Sequence, residues 1–291
     1  MISRPDVQGS VQKHSRRFLL VDVFSPLPTR GNGLAVVLDA EGLSTDEMQH
    51  FAAWTNLAET TFLLPPTDLI ADYRVRIFTP SREMPFAGHP TLGSCAAWLH
   101  VGGKPRTPGL VRQQCGVGIV PVLVKGGGHF AFDAPPTEVR PMRTEMYNEI
   151  LNALALTPSA IVQTAELENG PVWQAFELSS ADVVLGLDAA KVRWPEFRAI
   201  GVFGPHHVDA EVHWEVRMLA PSSGMSEDPI TGSLNAAIAR WLRAQGRLES
   251  AIQVAQGTSI GRIGRVSITP DSDAIWIGGR VHVLVEGTVA L

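Results

Sequence analysis

Glu59, His89 and Asp228 are proton-handling side chains set in contexts that could leave them free to act. His89 lies in Gly88-His89-Pro90-Thr91-Leu92-Gly93-Ser94, and Asp228 in Asp228-Pro229-Ile230-Thr231-Gly232-Ser233. A run with helical apolar spacing follows each segment. Backbone N–H groups at a helix start are unpaired and carry the positive end of the dipole, so they bind anions without Lys or Arg. Gly88 and Gly232 would let a ligand approach that backbone closely. Two such helix starts facing each other would grip a small carboxylate and leave His89 and Asp228 beside it. The alternative is that His89 and Asp228 are only N-caps and the glycines serve the turn. Glu59, in Asn56-Leu57-Ala58-Glu59-Thr60-Thr61-Phe62, stands at the entry to an apolar strand. A carboxyl desolvated there would have the raised pKa that a proton shuttle needs. The simpler reading of the same position is a surface glutamate.

Other candidate sites carry less. His206-His207 with His213 invites a metal, but a metal needs convergent ligands, usually with a carboxylate or Cys partner, so no metal is expected. Cys95 falls on an apolar helix face and Cys115 in a Gln-rich turn. No basic neighbour would activate either thiol. Gly31-Asn32-Gly33 lacks the third glycine and the βαβ context of a dinucleotide fingerprint. Gly257-Thr258-Ser259-Ile260-Gly261-Arg262 fits a phosphate cradle or a tight turn.

The elements that would position these groups occur twice. Val75-Arg76-Ile77-Phe78-Thr79-Pro80-Ser81 is echoed by Val216-Arg217-Met218-Leu219-Ala220-Pro221-Ser222 at an offset of 141. The segment from His89 is echoed from Asp228 at an offset of 139, and the helical runs close on Ala97-Trp98-Leu99 and Arg240-Trp241-Leu242. Such a repeat implies two similar halves related by an approximate dyad, with His89 and Asp228 in the same slot of each. Strands are expected at 18–24, 34–38, 60–64, 73–78, 118–124 and 128–132. In the second half they are expected at 172–178, 199–202, 213–219, 264–268, 274–278 and 281–286. Ser44 with Glu47 is a capping box that starts a helix over 46–54. A further helix is expected over 144–155. Apolar helices opening near Pro90 and over 230–244 belong inside their sheets. The boundaries follow: an extension over 1–16, a first half over 17–132 and a second over 133–280. A last strand near 281–291 could return to the first half.

Hydrophobic residues make up 45% of the 291 and charged residues 18%, the balance of a compact protein with large cores. A net charge of −5 without a Lys/Arg cluster excludes an electrostatic nucleic-acid footprint. No segment reaches the length of a membrane span. The polar N-terminal stretch lacks the apolar run of a signal peptide, and the two separated cysteines suit a reducing compartment, so a cytoplasmic protein is expected.

Asn-Leu-Ala-Glu-Thr-Thr-Phe (56–62), Phe-Ala-Gly-His-Pro-Thr (86–91) and Glu-Asp-Pro-Ile-Thr-Gly-Ser (227–233) resemble the signature segments of the phenazine biosynthesis PhzF-like family. Asp22-Val23-Phe24, Arg30-Gly31-Asn32 and Gln256-Gly257 with Gly261-Arg262 fall in the same order. The resemblance implies an α+β fold of diaminopimelate-epimerase-like type. That fold has two pseudo-symmetric domains, each a β-barrel-like sheet around a central helix, with the active site between them. It also implies a cofactor-independent isomerase or epimerase that moves a proton within a small carboxylate-bearing metabolite. Glu59 would be the general acid/base, His89 and Asp228 its supports, and Gly88, Gly232, Ser233 and Asn32 substrate contacts. A homodimer is expected. The chain departs from the family at Gly31-Asn32-Gly33, where Gly-Asn-Pro is usual, and at Asn169-Gly170-Pro171-Val172-Trp173. An amino-acid racemase or lyase on the same scaffold, or a ligand-binding protein without turnover, are the alternatives.

Overall fold

The computed structural model describes residues 14–192, 198–219 and 226–291. Most of the expected N-terminal extension, and the Ala220-Pro221-Ser222 end of the echo, lie outside the described residues. The first barrel is built from β1 (Ser15–Val23), β2 (Asn32–Val37), β3 (Glu59–Leu64), β4 (Tyr73–Phe78), β6 (Leu110–Cys115), β7 (Gly118–Gly126) and β8 (His129–Asp133). These pair in the order β1-β2-β3-β4-β6-β7-β8, and the long strand β17 (Ala274–Ala290) joins β8 to β1 and closes the ring. A two-residue strand, β5 (Glu83–Met84), adds to the side of β4. The second barrel repeats the pattern with β10 (Ile161–Glu168), β11 (Val172–Leu178), β12 (Ala199–Pro205), β13 (Trp214–Leu219), β15 (Ile252–Gln256) and β16 (Gly264–Asp271). There β14 (Glu227–Asp228) flanks β13 as β5 flanks β4.

Two segments cross between the barrels. Residues 274–278 of β17 pair with β16, and residues 281–290 pair with β1. The chain from β8 runs on into β9 (Glu138–Arg140), which pairs with β10. The two strands expected at 274–278 and 281–286 are therefore one. The expected break falls at Gly279-Arg280, and the strand passes through it. Strands β6, β10 and β15 were not foreseen, because their mixed polar sequences lack a clean period of two. Cys115 ends β6 rather than sitting in a turn.

Five α-helices among the described residues complete the frame. Helix α1 (Thr45–Thr55) starts with the foreseen capping box of Ser44 and Glu47. Helix α3 (Thr144–Ala153) and the short α4 (Ala181–Leu185) lie in the second half. Each barrel encloses one helix, α2 (Gly88–His100) and α5 (Gly232–Ala244), both thirteen residues long. Residues 88–97 of α2 are all buried, as Leu, Ala, Gly and Cys on every side require. Gly102, at φ +93, turns the chain away from α2, and Gly246, at φ +70, does the same for α5.

The dyad is real, but the slots differ from those the sequence echo suggested. Tyr73 and Trp214 open equivalent strands, while the two helices start at Gly88 and Gly232. The connection from β13 to β14 spans residues 220–226 and that from β4 to β5 spans 79–82, so the second half carries three more residues there. Met84 pairs with Ile77 as Asp228 pairs with Met218. Asp228 is thus the counterpart of Met84. His89, the second residue of α2, is the counterpart of Ser233. The Xaa-Pro echo aligns residues that are not structurally equivalent, because Pro90 lies within α2 whereas Pro229 precedes α5 by three residues.

Candidate active site

The starts of α2 and α5 meet backbone to backbone. A Cβ on Gly88 would lie 2.7 Å from the Gly232 Cα and 2.9 Å from the Ser233 N, and a Cβ on Gly232 would lie 2.9 Å from the Gly88 Cα. Only glycine allows this approach. Neither helix has a side-chain N-cap: Ala87 has no acceptor, and the Thr231 hydroxyl is turned to Asp228. The first-turn N–H groups of both helices are therefore free of capping side chains, and the two starts meet at one seam, a place where unpaired N–H groups would suit an anion.

Glu59, His89, Asp228 and Asn32 gather at this seam. Glu59 opens β3, where parallel pairing with Leu34 of β2 holds its backbone. Its side chain is only 17% exposed, and its Oε2 lies 3.3 Å from the His89 Nε2. The pair is not in hydrogen-bonding geometry: both atoms are buried, and among the described residues neither has a hydrogen-bond partner. Burial pushes the Glu59 carboxyl up to about 8, and the Asp228 charge acts in the same direction. Burial lowers His89 to about 3, so its ring is neutral at physiological pH. With a neutral ring, the contact is not an ion pair.

Asp228 enters from the other half. Its Oδ2 accepts from the Thr231 hydroxyl at 2.5 Å and its Oδ1 from the Asn32 amide at 3.1 Å. Burial raises this carboxyl to about 6, the Glu227 charge adds to the rise, and the two hydrogen bonds oppose it. Gln256 braces the loop: its Oε1 accepts from the Thr231 N–H at 3.0 Å, and its Nε2 donates to the Thr231 hydroxyl at 2.9 Å. Asn235 donates to the same Gln256 Oε1 at 2.9 Å. Thr231 and Asn235 were not singled out from the sequence. The Asp-x-x-Thr spacing at 228–231 was the available signal, but the repeat drew attention to Gly232-Ser233 instead. Asn169 donates to the Ser233 carbonyl at 2.8 Å and accepts from the Trp173 indole, so the departure at 169–173 lies against the first turn of α5.

The remaining candidates stand elsewhere. His206 pairs with Glu215 at 3.1 Å and His213 accepts from the Gln253 N–H; among the described residues no group of three metal-ligating side chains converges. Burial raises both Cys95 and Cys115, which disfavours thiolate at either. The turn at 257–262 is a tight one packed under the site, since a Cβ on Gly257 would lie 2.6 Å from the Pro229 carbonyl oxygen. Among the described residues, no helix is long and apolar enough to cross a membrane.

The two-barrel α+β scaffold is the diaminopimelate-epimerase-like fold. The chain belongs to the phenazine biosynthesis-like protein family, whose model matches residues 21–289. It is 33% identical to the antisense-enhancing sequence 1 protein of Schizosaccharomyces pombe, over 93% of this chain and 97% of that one. It is 31% identical to the trans-2,3-dihydro-3-hydroxyanthranilate isomerase of Pseudomonas aeruginosa, over 94% and 99% of the two chains. Among solved structures, a predicted epimerase from Pseudomonas aeruginosa superposes with a TM-score of 0.78 at 26% identity, covering 94% of this chain and 99% of that one. The protein is an enzyme of the isomerase class.

Proposed function

We propose that this isomerase moves a proton between two carbon atoms of a small carboxylate-bearing metabolite, with Glu59 as the carrier. The observation behind this reading is the pair of buried, unpartnered atoms, Glu59 Oε2 and His89 Nε2, 3.3 Å apart beside two uncapped helix starts. A buried polar atom without a partner costs free energy, and a ligand that supplies the partner recovers it. The substrate carboxylate would sit on the N–H groups of Gly88, Gly232 and Ser233. The Glu59 carboxylate would take a proton from the activated carbon while the C–H electron pair shifts into the adjacent unsaturation. Glu59 would then return the proton to the second carbon. A carboxyl raised toward the working pH is suited to both halves of that exchange. His89 and Asp228 would hydrogen-bond the polar groups where charge develops.

The substrate of the Pseudomonas aeruginosa relative, trans-2,3-dihydro-3-hydroxyanthranilate, is the first compound to test. In deuterated water, NMR of the product should show less than one solvent deuterium per turnover, because a closed site returns the proton it took. Complete solvent labelling in every turnover would remove the single-carrier mechanism. We further propose that the protein is a homodimer, which sedimentation at micromolar concentration reads.

A further inference from the structure

We propose that Asn32 is a positioning residue whose amide sets the tautomer of His89, so that the Nε2–H end faces Glu59 and the ligand. This rests on the active-site reading above, but its test does not depend on turnover. Asn32, the first residue of β2, is 2% exposed. Its backbone is held by the pairing with Val23 of β1 and through the preceding Gly31. The Gly31 N–H donates to both Asp22 carboxylate oxygens at 3.0 Å, and a Cβ on Gly31 would lie 2.2 Å from the Val23 carbonyl oxygen.

The Asn32 Nδ2 lies 3.1 Å from the Asp228 Oδ1 and 3.0 Å from the Ile230 carbonyl oxygen. Two acceptors determine which end of the amide is nitrogen, since the flipped form would place its oxygen against a carboxylate and a carbonyl. The same nitrogen lies 3.3 Å from the His89 Nδ1. An N–H on Nδ1 would set donor against donor. Nδ1 must therefore present its lone pair, and a neutral ring then carries its proton on Nε2. That atom is the one 3.3 Å from Glu59. The consequence is a division of labour: His89 is a hydrogen-bond donor to the ligand, and it does not compete with Glu59 for the substrate proton. Asn32 also ties β2 of the first half to the 228–230 loop of the second, so one amide orients groups from both halves.

The experiment is long-range ¹H–¹⁵N NMR of the imidazoles in the ligand-free full chain, with His89→Gln used to assign the signal. The wild type should show His89 as the Nε2–H tautomer. Asn32→Ala should give a mixture of tautomers, and Asn32→Asp, which replaces the donor with an acceptor, should shift the proton to Nδ1. With a working substrate, Asn32→Ala should lower kcat by about 10²-fold, the lower end for a misplaced acid–base group, with a smaller change in KM. A wild-type ring protonated on Nδ1 would overturn the inference, as would an unchanged Nε2–H pattern in Asn32→Ala. If the third carboxylate of Asn32→Asp prevents folding, the wild type and Asn32→Ala still decide. A correct tautomer in a protein that turns nothing over would leave this inference standing and remove the isomerase reading.

Discussion

Gly88→Ala sets two effects of opposite sign against each other at the seam. Ala for Gly in a helix is worth roughly 0.5–1 kcal/mol of stabilisation from backbone entropy. The new Cβ, however, would stand 2.7 Å from the Gly232 Cα and 2.8 Å from its carbonyl carbon, where ordinary contact begins at 3.4 Å. The obstacle is backbone, so no rotamer change relieves it, and the starts of α2 and α5 must separate by the missing 0.7 Å, the difference between 3.4 and 2.7 Å. Overpacking of this kind costs about 1–3 kcal/mol, so the contact should outweigh the entropy gain. At about 2–4 °C per kcal/mol for a chain of this size, Tm should fall by a few degrees. If these two helix starts hold the substrate carboxylate as proposed, separating them by most of an ångström should cost turnover up to about 10²-fold. Gly287→Ala is the control, because a Cβ there meets nothing within 4 Å. Paired thermal melts and kcat/KM measurements decide. A Gly88→Ala protein as stable and as active as Gly287→Ala would show that the helix starts do not meet as described.

The dyad supplies a second comparison. Arg217 and Glu227 form a salt bridge whose side chains are 3% and 1% exposed, and its counterpart, Arg76 with Glu83, is 24% and 40% exposed. Chemical denaturation should show a loss of about 3–5 kcal/mol for Arg217→Ala, which strands a buried charge, and under about 1 kcal/mol for Arg76→Ala. Equal losses would contradict the burial. A third prediction concerns pH. Burial holds the Glu59 pKa at about 8 in the folded chain against its ordinary 4.5, so folding takes up a proton between those values. Its contribution is fully present below about 4.5 and is lost as pH rises through about 8. Asp228 acts in the same sense up to about 6, whereas His89, lowered to about 3, acts in the opposite sense below about 6.5. Between pH 6.5 and 8.5 the Glu59 effect stands alone. Denaturation across that window should show the wild type losing stability relative to Glu59→Gln, and parallel curves would refute a raised Glu59.

Much of this was legible in the sequence because it is local or repeated. The capping box at Ser44 needs only Glu47 three residues on, and α2 and α5 carry apolar residues on every face, which only a helix inside a barrel can bury. The register of the dyad was not legible. Two Xaa-Pro segments looked equivalent, but the longer 220–226 connection shifts α5, so Ser233 and Met84 are the true counterparts of His89 and Asp228. The site arises where the two halves differ, not where they repeat. The crossing of β17 was hidden by the break expected at Gly279-Arg280. The surroundings of Asn32 were hidden as well, since the three atoms around its amide nitrogen belong to residues 57, 196 and 198 positions along the chain.

If Glu59 carries the proton, as proposed, Glu59→Gln should stop the reaction without emptying the site. Glutamine keeps the size and polarity of the side chain but cannot cycle a proton. Titration calorimetry with a turned-over substrate or its product should show binding within a few-fold of wild type. Turnover of the same compound should fall by about 10²–10⁴-fold, the usual worth of one positioned acid–base group. Unchanged turnover in Glu59→Gln would rule Glu59 out as the proton carrier.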